Sequence, residues 1–370
     1  MAVNQIYELV NSVAEQAFGD EIVVTNLQDL VALGNTVLSS STNTETFLNT
    51  LVNRIGRTIF SYREYRNSFK DMVIDDMQYG AIVQKIKMEY PDATKDDAWE
   101  LKDGAGIDQY EISKPKVKQS LFTKITPYQY FVTIAEEQLA DAFTSESGIT
   151  SLIGMIFGVV RNKIEITLEE LAVMAMNNFI AETVGTTREI KLTTLYNQAT
   201  GESLVVNDIK NLQKPEFLRF CIEQIKTVSM FMTKNLKIYN NGNVTTFTPL
   251  ENQRMLVTTS LQKKLETVVQ YAAFNKEYVS LSKFKEIPFL QSPTEPLKIN
   301  VNKASDGTAV EKDGILAVLC DDESFGVYQK KFIARTTPLN ARGLYYNVFY
   351  HLRELYFNDT NENFVIFTLA

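Results

Sequence analysis

Three Asp-Asp pairs, two cysteines and one histidine are the residues of this sequence whose types and spacing could do chemistry. Asp75-Asp76, Asp96-Asp97 and Asp321-Asp322 could hold a divalent cation, or supply an acid and a base, if the fold brought them together. The last pair closes ILAVLCDD (315–322), which reads either as a strand ending in metal-holding aspartates or as a buried strand meeting solvent. No Gly-Lys dipeptide occurs, so no Walker A loop exists to bring a phosphate to those aspartates, and GAGIDQ (104–109) lacks the third glycine of a dinucleotide fingerprint. The buried strand is the expected form, and a solvated surface is expected for the three pairs. His351 is the single histidine, and neither Cys221 nor Cys320 is near it in sequence, so a nucleophile with a histidine base is not expected. One histidine and two isolated cysteines cannot supply a usual zinc set. The cysteines read as reduced core thiols in a reducing compartment. No catalytic residue, metal site or cofactor is predicted.

Two aromatic features remain. NARGLYYNVFYHLRELYF (340–357) is dense in rings, but a single-strand binding platform would need more cations than Arg342 and Arg353 beside His351. Alternation puts Leu344, Tyr346, Val348, Tyr350 and Leu352 on one face and Tyr345, Asn347, Phe349 and His351 on the other. The expectation is a strand covered on both faces, with Tyr346, Tyr350 and His351 as structural core. Trp99, the lone tryptophan, lies among charges, where an exposed ring marks a contact with another chain.

The elements that must position these residues can be read from periodicity. Ile6, Leu9, Val10, Val13 and Ala17 recur at helical spacing, as do Leu27, Leu30, Val31, Leu33 and Val37 after Asn26, a predicted N-cap. Thr44 or Thr46 is expected to cap a third helix carrying Phe47, Leu48, Leu51, Val52 and Ile55 and ending near Gly56. Around residues 82–90 the period changes to two, with Ile82, Gln84, Ile86, Met88 and Tyr90 on one side and Val83, Lys85, Lys87 and Glu89 on the other. A second extended run, 110–118, follows the polar DATKDDAWELKDGAG. The pair forms a two-stranded excursion too marginal to stand alone, so it is expected to lean on something outside its own domain. Residues 147–184 predict one proline-free helix, roughly 50 Å long, with Gly148, Gly154 and Gly158 permitting a close approach or a bend. Pro215 opens a helix carrying Phe217, Phe220, Cys221 and Ile225. IYNNGNVTTF predicts two short strands around an Asn241-Gly242 turn. Strands are also predicted at 254–258, 299–301 and 315–320.

Composition narrows the partners. A net charge of -8 lacks the electrostatic footprint of a protein that grips nucleic acid. The first residues are broken by Asn4, Glu8, Asn11 and Glu15 and are not expected to be a secretion signal. The most apolar window, 149–160, is too short to span a bilayer, and no membrane partner is expected.

The order of these pieces, helical arm, two-stranded excursion, very long helix, mixed region and closing strands, resembles the major capsid proteins of tailed bacteriophages, the Hong Kong 97 fold. Four segments are similar in place and look to the capsid protein of phi-29-type short-tailed phages: FLNTLVNRIGRTIF (47–60), LETVVQYAAFN (265–275), LAVLCDDESFGVYQKK (316–331) and especially ARGLYYNVFYH (341–351). The resemblance implies an α+β fold with an N-terminal arm (1–66), an extended loop (67–122), a peripheral domain with a spine helix (123–187), an axial domain (188–333) and C-terminal strands returning to the peripheral domain (334–370). It implies self-assembly into hexamers and pentamers of an icosahedral or prolate shell around phage dsDNA, held nonspecifically. A separate scaffolding protein and a portal at one vertex would be the other partners, with assembly in the host bacterial cytoplasm. Contacts between subunits would fall on Ile82, Ile86, Met88, Trp99 and Tyr110 of the extended loop and on Leu9, Val13, Phe47 and Leu51 of the arm. The chain stops at Ala370 directly after its last strand, so the immunoglobulin-like C-terminal domain of the better-known relative is not expected, and its start at Met1 implies no removed scaffolding segment. Covalent Lys-Asn cross-linking is not predicted. The alternatives are an encapsulin-like nanocompartment, with the same fold, a metal-dependent hydrolase, which would need the acidic residues to converge, and a tail or portal component, which would form a single ring instead of a closed shell.

Overall fold

The structure, a computed structural model, describes residues 3–19, 23–55, 65–74, 83–88, 93, 99, 103, 110, 112, 114, 116–123, 125–242, 244–269 and 283–370. Its helices are α1 (Val3–Phe18), α2 (Leu27–Leu38), α3 (Ser41–Ile55), α4 (Glu136–Ala142), α5 (Glu146–Ile153), α6 (Val159–Thr183), α7 (Leu192–Thr200), α8 (Pro215–Met232) and α9 (Thr259–Lys264). Its strands are β1 (Val73–Ile74), β2 (Val83–Met88), β3 (Val117–Phe122), β4 (Thr126–Ala135), β5 (Glu189–Lys191), β6 (Gln253–Thr258), β7 (Lys283–Ile287), β8 (Ile299–Asn302), β9 (Ala309–Lys312), β10 (Ile315–Asp321), β11 (Phe325–Thr336), β12 (Tyr345–Asn358) and β13 (Phe364–Thr368). The chain forms two compact units: residues 1–79, 124–172 and 327–356, and residues 80–123, 173–326 and 357–370.

In the first unit the apolar faces of the three N-terminal helices are buried in one core. Leu9, Val10 and Val13, Leu30, Leu33 and Val37, and Phe47, Leu48 and Leu51 meet Ile134, Leu139, Ile149, Ile153, Tyr346, Val348 and Tyr350. Asn26 caps α2 as its residue type predicts, accepting from the Asp29 amide at 3.0 Å. Asn26→Ala should cost about 1 kcal/mol, read as a lower urea midpoint without a changed slope. The cap of α3 is not Thr44 or Thr46 but Ser40, whose Oγ accepts from the Asn43 amide. Thr44 instead turns its hydroxyl back onto the Val37 carbonyl, joining α2 to α3.

The four-stranded sheet runs β1-β11-β12-β4, with β12 antiparallel to β4 from Tyr345↔Ala135 to Glu354↔Thr126. The expected single helix over 147–184 is interrupted. A π-helical turn, Gly154–Gly158, separates α5 from α6. Such a turn displaces a carbonyl from the regular ladder, and here the Ile156 carbonyl accepts the Tyr350 hydroxyl at 3.1 Å.

The second unit is built on the sheet β5-β13-β10-β6-β7. β6, β10 and β13 are buried at every position, as near-continuous apolar strands covered on both faces should be. Val365 and Phe367 meet the helix core of Leu192, Phe217, Cys221, Ile225 and Leu261 on one side. Phe364, opposite in parity, stacks on Phe179 with centroids 4.0 Å apart. Proline-led α8 and strands β6, β8 and β10 match the sequence reading. The hairpin expected over 238–247 is reduced to an isolated Leu236↔Thr246 bridge. Its asparagines are used otherwise: Asn240 Nδ2 donates to the Val244 carbonyl, and Asn241 Nδ2 to Thr360 and Asn361. Local side-chain bonds of this kind compete with a strand ladder. The closing residues also divide between sheets, β12 pairing with β4 and β13 lying between β5 and β10.

A candidate assembly ribbon and its ionic root

β2 and β3 form a two-stranded antiparallel ribbon in the second unit, in register from Val83↔Phe122 to Met88↔Val117. The paired strand begins at Val117, later than the expected 110–118 run. Directly opposed residues share a face, so one side carries Ile86, Met88, Val117 and Leu121 with Gln84 and Gln119 among them, and the other Lys85, Lys87, Lys118, Ser120 and Phe122. The apolar side points to solvent, with Ile86 58% and Met88 65% exposed, and Val117 and Leu121 also exposed. The lysine side faces the chain's own second unit, an orientation that hydrophobicity alone does not predict.

Charge accounts for it. Lys85 Nζ lies 2.6 Å from Glu362 Oε1, 2.9 Å from Glu323 Oε2 and 3.5 Å from Asp359 Oδ2. Lys87 Nζ reaches the other Glu362 oxygen and donates to Thr246 Oγ1 at 3.2 Å. The carboxylates of Asp359 and Glu362 are almost wholly buried, with side chains 2% and 4% exposed. They sit on the turn NDTNEN (358–363) between β12 and β13, which Asp359 shapes by accepting the Asn361 amide. Burial alone would lower the Lys85 ammonium, but the facing Glu362, Glu323 and Asp359 carboxylates hold it above its ordinary value. Burial raises the Glu362 carboxyl, and the two lysines oppose that rise. Asn361 Nδ2 donates to Ser120 Oγ, and Phe122 packs on Phe357 at 5.2 Å. The ribbon root is therefore fixed by ionic, polar and aromatic contacts.

The other predicted residues are placed as follows. Ile82, Asp75, Asp76, Asp96 and Asp97 lie outside the described residues. Trp99 is 88% exposed and Tyr110 is 86% exposed. Leu9, Val13, Phe47 and Leu51 are buried in the chain's own core, so they present no outer face. Tyr346 and Tyr350 are buried, but His351 is exposed and stacks beside Phe349, correcting its assignment to the core. The reason is that the β4–β12 pairing covers one face only: on the other, Phe131 opposite Phe349 is 63% exposed. Asp321 accepts the Thr248 hydroxyl at 2.7 Å, and Asp322 pairs with Arg254 at 3.1 Å. Among the described residues no group of three or more His, Cys, Asp or Glu side chains is placed to hold a metal ion, and no helix is long and apolar enough to cross a membrane. Cys221 and Cys320 are free and buried. Sequence reasoning missed Lys85, Lys87, Asp359 and Glu362 as a group, although the Lys-x-Lys spacing placed two cations on one strand face.

Comparison with known proteins fits this arrangement. The chain is similar to a chain of the capsid structure of Staphylococcus phage Andhra, with TM-score 0.57 and 12% identity over 85% of this chain and 87% of that one. A chain from the structure of the head fiber and inner core protein of native bacteriophage P68 gives 0.55 at 12% identity over the same shares. Among curated proteins it is similar to the major capsid protein of Bacillus phage B103, 23% identical over 95% of this chain and 70% of that protein. The major capsid protein of Bacillus phage PZA is 22% identical over 99% and 74%. The fold is the Hong Kong 97 capsid type, the class of protein from which phage shells are built. Within that class, the family model for Phi29-like phage major capsid proteins matches residues 7–368, and the chain belongs to that family. It is a structural subunit of the virion shell whose work is self-association, and the hydrolase alternative is set aside.

Proposed function

We propose that the chain closes its shell as hexamers and pentamers in which the outward apolar side of the β2–β3 ribbon lies on a neighbouring subunit. The observation that carries this is the exposure of Ile86, Met88, Val117 and Leu121 on one face. Such a patch on an isolated subunit marks an interaction surface. Trp99 and Tyr110, both strongly exposed, extend the same contact. In this reading residues 1–66 are the arm, 67–122 the extended loop, 123–187 the peripheral segment, 188–333 the axial segment and 334–370 the closing strands. Leu9, Val13, Phe47 and Leu51 serve assembly indirectly, by holding the arm helices to their own subunit. Shells grow in the host bacterial cytoplasm on a separate scaffolding protein, with a portal at one vertex, and enclose dsDNA that the net acidic chain does not grip.

Electron microscopy of the protein expressed with and without its neighbouring genes tests the reading. Closed shells or hexameric sheets are expected, and a chain that stays monomeric under every condition would overturn it. Ile86→Asp with Met88→Asp should leave the subunit folded and reduce closed particles at least tenfold, because two charges would be desolvated at the contact.

A further inference from the structure

A two-stranded ribbon can lie on its own chain by either face, and a half-turn about its long axis exchanges the two. The apolar side, with four exposed aliphatic or thioether side chains, is the side that the hydrophobic effect would turn inward. It is nevertheless the side left outward. What opposes the exchange is the pair of nearly buried carboxylates on the 358–363 turn, which face Lys85 and Lys87. With the apolar side inward they would be buried without a cation, a costly arrangement. We infer that Lys85 and Lys87, with Asp359 and Glu362, are positioning residues that select the ribbon face, reserving the Ile86–Met88 side for a second copy of this chain. Glu323, at 68% exposed, adds a solvated contact to Lys85, while Ser120–Asn361 and Phe122–Phe357 fix the same face without charge.

The inference rests on the shell-subunit reading, and a labelling experiment on free subunits separates the two. Cys221 and Cys320 are both buried, and burial raises the thiols, Cys320 to about 12. Introduced cysteines therefore report alone. In unassembled protein Met88→Cys should be alkylated at least tenfold faster than Ser120→Cys, and in assembled shells Met88→Cys should become at least tenfold protected. Lys85→Glu with Lys87→Glu should speed Ser120→Cys labelling at least tenfold and abolish closed particles. Adding Asp359→Lys and Glu362→Lys should restore both, and Lys85→Arg with Lys87→Arg should behave as the parent. The milder Lys85→Gln, Lys87→Gln pair gives the same direction of change if the charge-reversed chain fails to fold. Equal labelling of positions 88 and 120 in otherwise unaltered free subunits would overturn face selection. So would normal assembly of the glutamine and glutamate pairs, or a folded four-site variant that labels like the two-site one. Met88→Cys labelled as fast in shells as in free subunits would leave face selection standing and overturn only the use of that face between copies.

Discussion

Glu354→Gln should stabilise the first unit by about 2 kcal/mol at pH 8 and change it little near pH 4. Glu354 is on the inward face of β12, opposite Thr126, and is 1% exposed. Among the described residues neither of its carboxylate oxygens has a hydrogen-bond partner. The groups around it include the Tyr128 and Tyr130 phenols of β4 and Tyr356 of its own strand, with Glu170 of α6 beyond Tyr130. None of these is a cation, and burial pushes the Glu354 carboxyl up to about 7. The folded chain therefore keeps the proton where the unfolded chain has released it. Glu354's contribution is present in full below the ordinary carboxylate range, falls as pH rises toward 7, and is constant above. Glutamine cannot ionise, so its stability curve should lack that fall. Urea midpoints from pH 4 to pH 8 measure the difference, and parallel curves for the two proteins would show that Glu354 ionises freely.

Phe364→Ala is the substitution expected to damage the second unit most, by about 4 kcal/mol. The ring stacks on Phe179 and meets Phe325 at 6.1 Å. It belongs to an interior strand, so the cavity left behind has sheet on both sides and little freedom to collapse. Amide hydrogen exchange is the suitable reading. Amides of β6, β10 and β13 that exchange by opening of this unit should speed up by about a thousandfold. Amides in α1–α3 should keep their rates. Uniform acceleration in both units, or none in either, would contradict the placement of Phe364.

Much of the fold was legible in the sequence where one periodicity and one cap agreed. Asn26 before α2, Pro215 opening α8 and the unbroken apolar run of β10 each gave type and position together. Bounds shifted where several polar residues could play one role, as with Ser40 taking the cap from Thr44. The π-helical turn at Gly154–Gly158 was visible only as a permitted bend, because the Tyr350 hydroxyl that meets it comes from 194 residues further along the chain. His351 was misplaced for a related reason: alternation identifies two faces of a strand but not whether a second layer covers each. The ribbon carried the same ambiguity. Its faces were correctly separated, yet the choice between them depends on Glu362, 277 residues from Lys85, and no local pattern encodes that distance.

The position of β13 has a consequence for the order of synthesis. Of the five strands in its sheet it is made last, yet it lies inside, and among the described residues β5, finished at Lys191, pairs with it alone. Until residue 364 and its neighbours exist, β5 and one side of β10 have open backbone edges. A sheet closed by so distant a segment folds slowly and is exposed to wrong pairing meanwhile. The second unit is thus complete only once β13 has docked between β5 and β10.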